Sequence, residues 1–280
     1  MISKSLIKSS FKTKLDKRSK YLRSLVLNGL QNSSKGHVGS SFSMIEILRV
    51  LYDDIMKFNP RKPLWDGRDR LIISPGWSSL ALYSILADKG FINKKELDNF
   101  MDLNSILGGC IEITVNGVEA TTGSCGHGLS IAVGKAIALK NKKSKSKVFV
   151  ILGDGEHGEG SIWEAAISSS KNKLDNLIII VDSNKIQCSG MFDQISGMNS
   201  LAEKWKAFGL RVEEINGHNL KQIKKTLNKV PLKKNMPTVI ICHTVMSKGI
   251  KEFENNPEYH WKGGLSKEKI NEIKILLQQY

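Results

Sequence analysis

Gly153-Asp154-Gly155 and, at the end of the next apolar run, Asn184 are the residues whose types and spacing could do chemistry in this chain. The run 147–152 leads straight into the glycines, and the run 177–182 leads into the asparagine through Val-Asp-Ser-Asn. Each reads as a short buried parallel strand. Between them, residues 160–173 carry Ile162, Trp163, Ala165, Ala166 and Ile167 at helical spacing, enough for the crossover of a βαβ unit. That connection brings Asp154 and Asn184 together at the carboxyl ends of adjacent strands, where open α/β sheets hold ligands. A carboxylate oxygen and an amide oxygen are hard donors for a magnesium-sized cation. Such a cation takes about six oxygens and draws the rest from phosphates and water. Gly155 lets the backbone approach a phosphate, and the helix that follows offers unpaired N–H groups to it. The pattern describes a metal-bridged diphosphate site.

The elements that must position these residues alternate. Helical patterns run near 11–32, 43–56, 77–89, 127–141, 160–173, 199–208, 219–229 and 266–278. Strand-like runs lie near 70–74, 147–152, 177–182, 211–215 and 237–245. Strands alternating with helices predict an α/β fold, a doubly wound, mostly parallel sheet with helices on both faces. No repeat, low-complexity linker or Pro/Gly-rich boundary divides residues 1–280, so one domain is expected. The glycine-rich segment 108–128 is too long for a plain connection, and loops of that kind often carry function.

Taken with its neighbours, this pattern is similar to the thiamine-diphosphate motif, and more specifically to the transketolase family. The residues that carry the resemblance stand in family order over about residues 20–265. They are Gly36-His37-Val38-Gly39, Trp65-Asp-Gly-Arg-Asp-Arg-Leu-Ile-Ile-Ser74, Glu119-Ala-Thr-Thr-Gly-Ser-Cys-Gly-His-Gly128 and Phe253-Glu-Asn-Asn-Pro-Glu-Tyr-His260. The match is closest to the separate amino-terminal subunits of split transketolases. It implies a pyrophosphate-type domain that binds thiamine diphosphate and magnesium (or calcium or manganese). Asp154, Asn184 and the backbone carbonyl of Ile186 would be the metal ligands, with Gly155, Gly123, Ser124 and Cys125 against the cofactor. His37 and His260 match family histidines that meet substrate and cofactor, where a neutral imidazole can move protons near pH 7. Glu159 and Glu164 match catalytic-region glutamates that meet across a dimer interface, although acidic residues near a helix N-terminus are favourable there in any case.

The same resemblance implies what lies on another chain. The pyrimidine-binding domain, whose glutamate drives ionisation of the cofactor, is expected on a carboxy-terminal partner subunit, in an α2β2 assembly. Activity would need both subunits. The reaction implied is transfer of a two-carbon ketol unit from a ketose donor to an aldehyde acceptor. Two positions depart from the family. Trp77 stands where a histidine is usual, and Gly109-Cys110-Ile111 replaces a Gly-His-Pro. Both missing histidines belong to the substrate and thiazolium side. Tryptophan is larger, donates only through its indole N–H and cannot act as a base. Trp77 packed on substrate or cofactor predicts a narrower, more apolar pocket and a specialised carbohydrate substrate. A thiamine-binding subunit of a 2-oxo acid dehydrogenase, decarboxylase or synthase is a second reading, disfavoured by His37, Arg68-Asp69-Arg70 and His260. A scaffold that kept the fold and lost the activity is a third, and the intact Asp154/Asn184 pair argues against it.

Composition narrows the remaining classes. A chain of 280 residues can bury the core of one large α/β domain. Cys110, Cys125, Cys188 and Cys242 show neither paired zinc-ligand spacing nor a disulfide framework, which predicts a reducing cytoplasm. No apolar run approaches bilayer length, so no membrane partner is expected. The first twenty residues are basic and serine-containing, as transit peptides are. Asp16 and the helical face Leu15, Leu22, Leu25, Val26 and Leu30 point instead to folded structure. The net charge of +15 raises nucleic acid, but the lysines look scattered and no aromatics interleave with the dense run 140–147. A lysine-rich solvated surface is expected, with a small-molecule sugar as substrate and no nucleic acid.

Overall fold

The computed structural model describes residues 2–33, 35–188, 190–198, 200–260 and 265–280. Five apolar runs become five strands of one parallel sheet: β1 Arg70–Ile73, β2 Val148–Gly153, β3 Leu177–Ser183, β6 Arg211–Asn216 and β7 Thr238–His243. Their spatial order is β1-β2-β3-β7-β6. The register sets Gly153 beside Asp182 and Ser183 beside His243, so the ends of β2, β3 and β7 are level at the carboxyl edge. β7 ends at His243, short of the run 237–245, and the hydroxyl of Thr244 turns to Asp182.

Side chains alternate along each strand, and that alternation divides the core in two. Phe149, Ile151, Ile178, Ile180 and Ile240 face one layer, built from α2 Lys17–Leu30, α3 Val38–Ser43, α4 Ile45–Val50, α5 Ser79–Asp88, α10 Leu220–Leu227 and α11 Lys267–Gln279. Val148, Val150, Leu152, Ile179, Val181 and Ile241 face the other, built from α6 His127–Asn141, α7 Gly160–Lys171 and α9 Leu201–Ala207. The expected α/β sheet covered on both faces is what forms. β3 is buried at all seven positions, which is why its sequence reads as a continuous apolar run rather than an alternating one.

Several helix boundaries differ from the sequence pattern for local reasons. The single helix expected over 11–32 is two, α1 Ile2–Lys12 and α2, because the Asp16 carboxylate accepts from the Ser19 N–H at 2.9 Å and starts a new helix. The pattern at 43–56 becomes α3, α4 and a π turn over Leu51–Ile55, separated at Met44. A small hairpin, β4 Ile186–Gln187 with β5 Gly190–Met191, and the five-residue α8 Phe192–Ser196 follow Asn184 without a periodic signal. The pattern 199–208 begins at Asn199, outside the described residues; α9 begins at Leu201. Among the described residues no helix is long and apolar enough to cross a membrane.

A buried ionic cluster locks the layer beneath the site. Arg23 on α2 holds Glu46 on α4 with two bonds of 2.6 and 2.9 Å, and His218 Nδ1 meets the same carboxylate at 2.7 Å. The Val245 N–H donates to His218 Nε2, so the imidazole is neutral with its proton on Nδ1. Burial opposes ionisation of Glu46, but the Arg23 guanidinium overrides it and holds the acid well below the usual carboxylate range.

Candidate functional site

Asp154 follows the last residue of β2 and Asn184 the last residue of β3, and both are buried. Asp154 accepts from the Gly155 N–H at 2.9 Å and from the Lys185 N–H at 2.7 Å, so one carboxylate joins two strand ends. Asn184 Oδ1 accepts from the Ile186 N–H at 3.0 Å, which turns the chain into the hairpin. Asp182 lies two residues before Asn184, on the same side of the strand end. The hydroxyls of Ser43 and Thr244 both donate to it. Burial raises both acids, Asp154 to about 7 and Asp182 to about 6, against the opposing pull of Lys185. Two desolvated carboxylates side by side are what a divalent cation would relieve.

A cavity of about 240 Å³ opens beside this pair. Its wall brings together His37, Trp77, Cys125, Asp154, Gly155, Glu159, Asn184, Ile186 and His260 from the expected set. Gly123 and Ser124 belong to the Cys125 loop but do not line the cavity, and Ser124 is exposed. Glu164 lies further along α7, exposed and outside the wall. The sequence places Cys110 on the substrate side, but in the fold it packs beneath Gly123, where an added Cβ would approach its Sγ to 2.9 Å.

Whether the wall fits a metal-bound diphosphate can be read from its polar atoms. Ser40 Oγ, Ser78 Oγ and Gln187 Oε1 are buried, line the cavity and have no hydrogen-bond partner among the described residues. Buried polar atoms are rarely left so, and two orphaned hydroxyls suit phosphate oxygens. A Cβ on Gly155 would come within 2.8 Å of Gln187, so only glycine allows this close approach. Asp154, Asn184 and the Ile186 carbonyl can supply hard oxygens to a cation there. The donor set and the orphaned atoms fit the group that the motif implies.

Sequence reasoning missed the residue that binds the two loops together. Glu156, buried in the cavity wall, accepts from the Gly126 N–H at 2.6 Å, from the Gly153 N–H at 3.2 Å and from the Ser74 hydroxyl. It fastens the Gly153–Gly155 loop to the start of α6 and to the end of β1. Nothing local distinguishes it from a solvated acid at a helix start. Asp182 and the orphaned Ser40 and Ser78 were missed too; for Asp182 the signal available was its two-residue spacing from Asn184.

In the same wall, His37 stands at the N-cap position of α3 and His260 follows the short turn Pro257–Tyr259. Their ring centroids are 6.1 Å apart, and the Trp77 ring is 5.2 Å from His37. Burial lowers both histidines, His260 to about 4 with a further push from His37, so both are neutral near pH 7. Trp77 remains 41% exposed at the cavity mouth.

A strand-end acid–amide pair sharing a cavity with neutral histidines is what the thiamine-diphosphate resemblance implies, and comparison with known proteins gives the class. The family model described as the transketolase thiamine diphosphate binding domain matches residues 15–278. The chain is 39% identical over 246 residues to one subunit of the apulose-4-phosphate transketolase of Phocaeicola vulgatus, covering 88% of each. It is 37% identical over 236 residues to one subunit of the 6-deoxy-6-sulfo-D-fructose transketolase of Clostridium sp. strain MSTE9, covering 84% of this chain and 86% of that one. A transketolase from Leishmania mexicana superposes with a TM-score of 0.87 at 28% identity, over 95% of this chain and 41% of that chain. The chain therefore spans less than half the length of that solved transketolase. It belongs to the transketolase family.

Proposed function

We propose that this chain is the pyrophosphate-binding, amino-terminal subunit of a two-subunit transketolase-like enzyme that moves a two-carbon ketol unit from a ketose donor to an aldehyde acceptor. The observation that carries this is the buried Asp154–Asn184 pair at adjacent strand ends, sharing one cavity with neutral His37 and His260. Residues 1–280 form the single pyrophosphate-type domain, and a carboxy-terminal subunit brings the pyrimidine-binding one, in a cytoplasmic α2β2 assembly. Two relatives of similar length are named for unusual sugars, which supports a specialised ketose or ketose phosphate as donor here.

Thiamine diphosphate, when bound, supplies the nucleophilic carbon and the electron sink of ketol transfer. The chain's own residues hold and steer. Asp154, Asn184 and the Ile186 carbonyl hold magnesium (calcium or manganese in its stead), while Gly155, Ser40 and Ser78 take the diphosphate. Gly123, Ser124 and Cys125 form the loop against the cofactor. His37 and His260 accept and return protons at the substrate hydroxyls, which their neutral state allows. Glu159, at the cavity, and Glu164, on the exposed face of α7, meet the neighbouring subunit. Trp77 narrows the entrance.

The test is co-expression with the partner subunit, calorimetric binding of thiamine diphosphate with magnesium, and a screen of ketose donors. Asp154→Ala should abolish magnesium-dependent cofactor binding and leave the circular dichroism spectrum unchanged. Equal binding by the variant would remove the metal site from the reading.

A further inference from the structure

Lys185 sits between two proposed metal-site residues, Asn184 and Ile186, with a φ of 71°. That is left-handed backbone, disfavoured for a residue with a long side chain, and strain of this sort gathers at functional loops. Its peptide is fastened at both ends. The N–H donates to Asp154 at 2.7 Å, and the carbonyl accepts from Phe192 at 2.9 Å. The side chain takes the other direction. Alternation along the strand end sends Asp182, Asn184 and Ile186 to the cofactor cavity and Ser183 and Lys185 to a second cavity of about 260 Å³ behind it. There the ammonium donates to the Ser183 hydroxyl. That hydroxyl belongs to the residue between Asp182 and Asn184, and the Lys185 N–H itself bonds Asp154, so the ammonium is tethered directly behind the two carboxylates. Carboxylates of Asp193 and Glu214 line the far cavity as alternative acceptors.

We propose that Lys185 is a tethered counter-cation that competes with the divalent metal: it holds the ligating loop in shape before metal arrives, and it lowers the affinity with which metal then binds. A fixed positive charge close behind the Asp154–Asp182 pair neutralises part of the charge that draws a dication and repels the dication itself. The second cavity gives the ammonium room to turn away towards Asp193 and Glu214 once the site is filled. The inference rests on the cofactor reading above but concerns the strength and order of loading, which that reading leaves open. A merely structural lysine predicts the opposite sign, because loosening the loop would weaken metal binding.

The experiment is calorimetric titration of magnesium into the full chain, co-purified with its partner subunit, in the presence of saturating thiamine diphosphate. Lys185→Met should bind magnesium about tenfold more tightly or better, given the screening expected near a protein surface. Lys185→Arg, which keeps the charge, should match the wild type. Without metal, the Met variant should melt at a lower temperature than the wild type. Lys185→Gly, which removes the charge and suits the left-handed backbone, gives the same affinity test should the Met variant fail to fold. Wild-type protein that binds no magnesium would overturn both this inference and the cofactor reading. Wild-type binding that neither Lys185→Met nor Lys185→Gly tightens would overturn this inference alone.

Discussion

Trp77 is the residue on which the specialised pocket proposed above can be tested. Its ring lies 5.2 Å from the His37 ring and keeps 41% of its surface exposed at the cavity mouth. An indole there fills space and offers one N–H donor, whereas an imidazole would add a proton acceptor. General acid–base help is typically worth about 10²–10⁴-fold, so Trp77→His should raise turnover of xylulose 5-phosphate by about tenfold or more and lower it on the native donor. Steady-state rates on both donors with the assembled subunits decide it. Ordinary transketolase rates on xylulose 5-phosphate by the wild type would remove the idea of a specialised pocket. Cys110, the other departure in sequence, packs under Gly123, so position 77 alone gives the cleaner test. At this scale the sequence showed which of several motif residues meet in one cavity, as Asp154, Asn184 and His37 do, but not that Gly123 and Ser124 stay outside its wall. It was silent on Ser40 and Ser78, because a buried hydroxyl without a partner is a fact of tertiary packing alone.

Among the elements, legibility followed periodicity. The expected helix 127–141 is the helix that forms, and β2 and β3 each end one residue past the expected runs, at Gly153 and Ser183. The β4–β5 hairpin and α8 are too short to show a period, and most of α1 lies ahead of the helical pattern expected over 11–32. Least legible was the bond between loops distant in sequence. Glu156 gathers Gly126, Gly153 and Ser74 on one carboxylate, and this fixes how the α6 start sits against the Gly153–Gly155 loop. Hydrogen bonds to a charged group contribute about 1.5–3 kcal/mol each and do not add in full, so Glu156→Ala should cost about 2–4 kcal/mol. Urea unfolding measures that loss, and calorimetry should show weaker thiamine diphosphate binding as the loop loosens. A change below about 0.5 kcal/mol, the range of an ordinary surface substitution, would show that the three bonds are replaceable.

Across the whole molecule, buried imidazoles set how the fold responds to acid. Five of the six histidines, His37, His157, His218, His243 and His260, are held below their ordinary value, each chiefly by burial. For His157 and His260 the value falls to about 4. The unfolded chain therefore binds more protons than the folded one once pH drops below about 6.5, and stability falls with it. A fully buried imidazole held near 4 contributes a loss of about 2 kcal/mol between pH 7.5 and pH 5 by this linkage. Asp154 and Asp182 work in the other direction. Raised to about 7 and about 6, they keep protons in the folded state that the unfolded chain releases, so they add stability as pH falls towards 4. Metal-free protein should therefore show a shallow dependence, the two groups of residues offsetting one another. Magnesium with thiamine diphosphate would hold the carboxylates ionised, remove their contribution and leave the histidines to act alone. The net charge of +15 adds to the trend, since further protons only increase self-repulsion. Urea unfolding at pH 7.5 and pH 5 should show a loss of at least about 2 kcal/mol with metal and cofactor present, and a smaller one without them. Equal slopes under both conditions would mean that the buried carboxylates do not take part in metal loading.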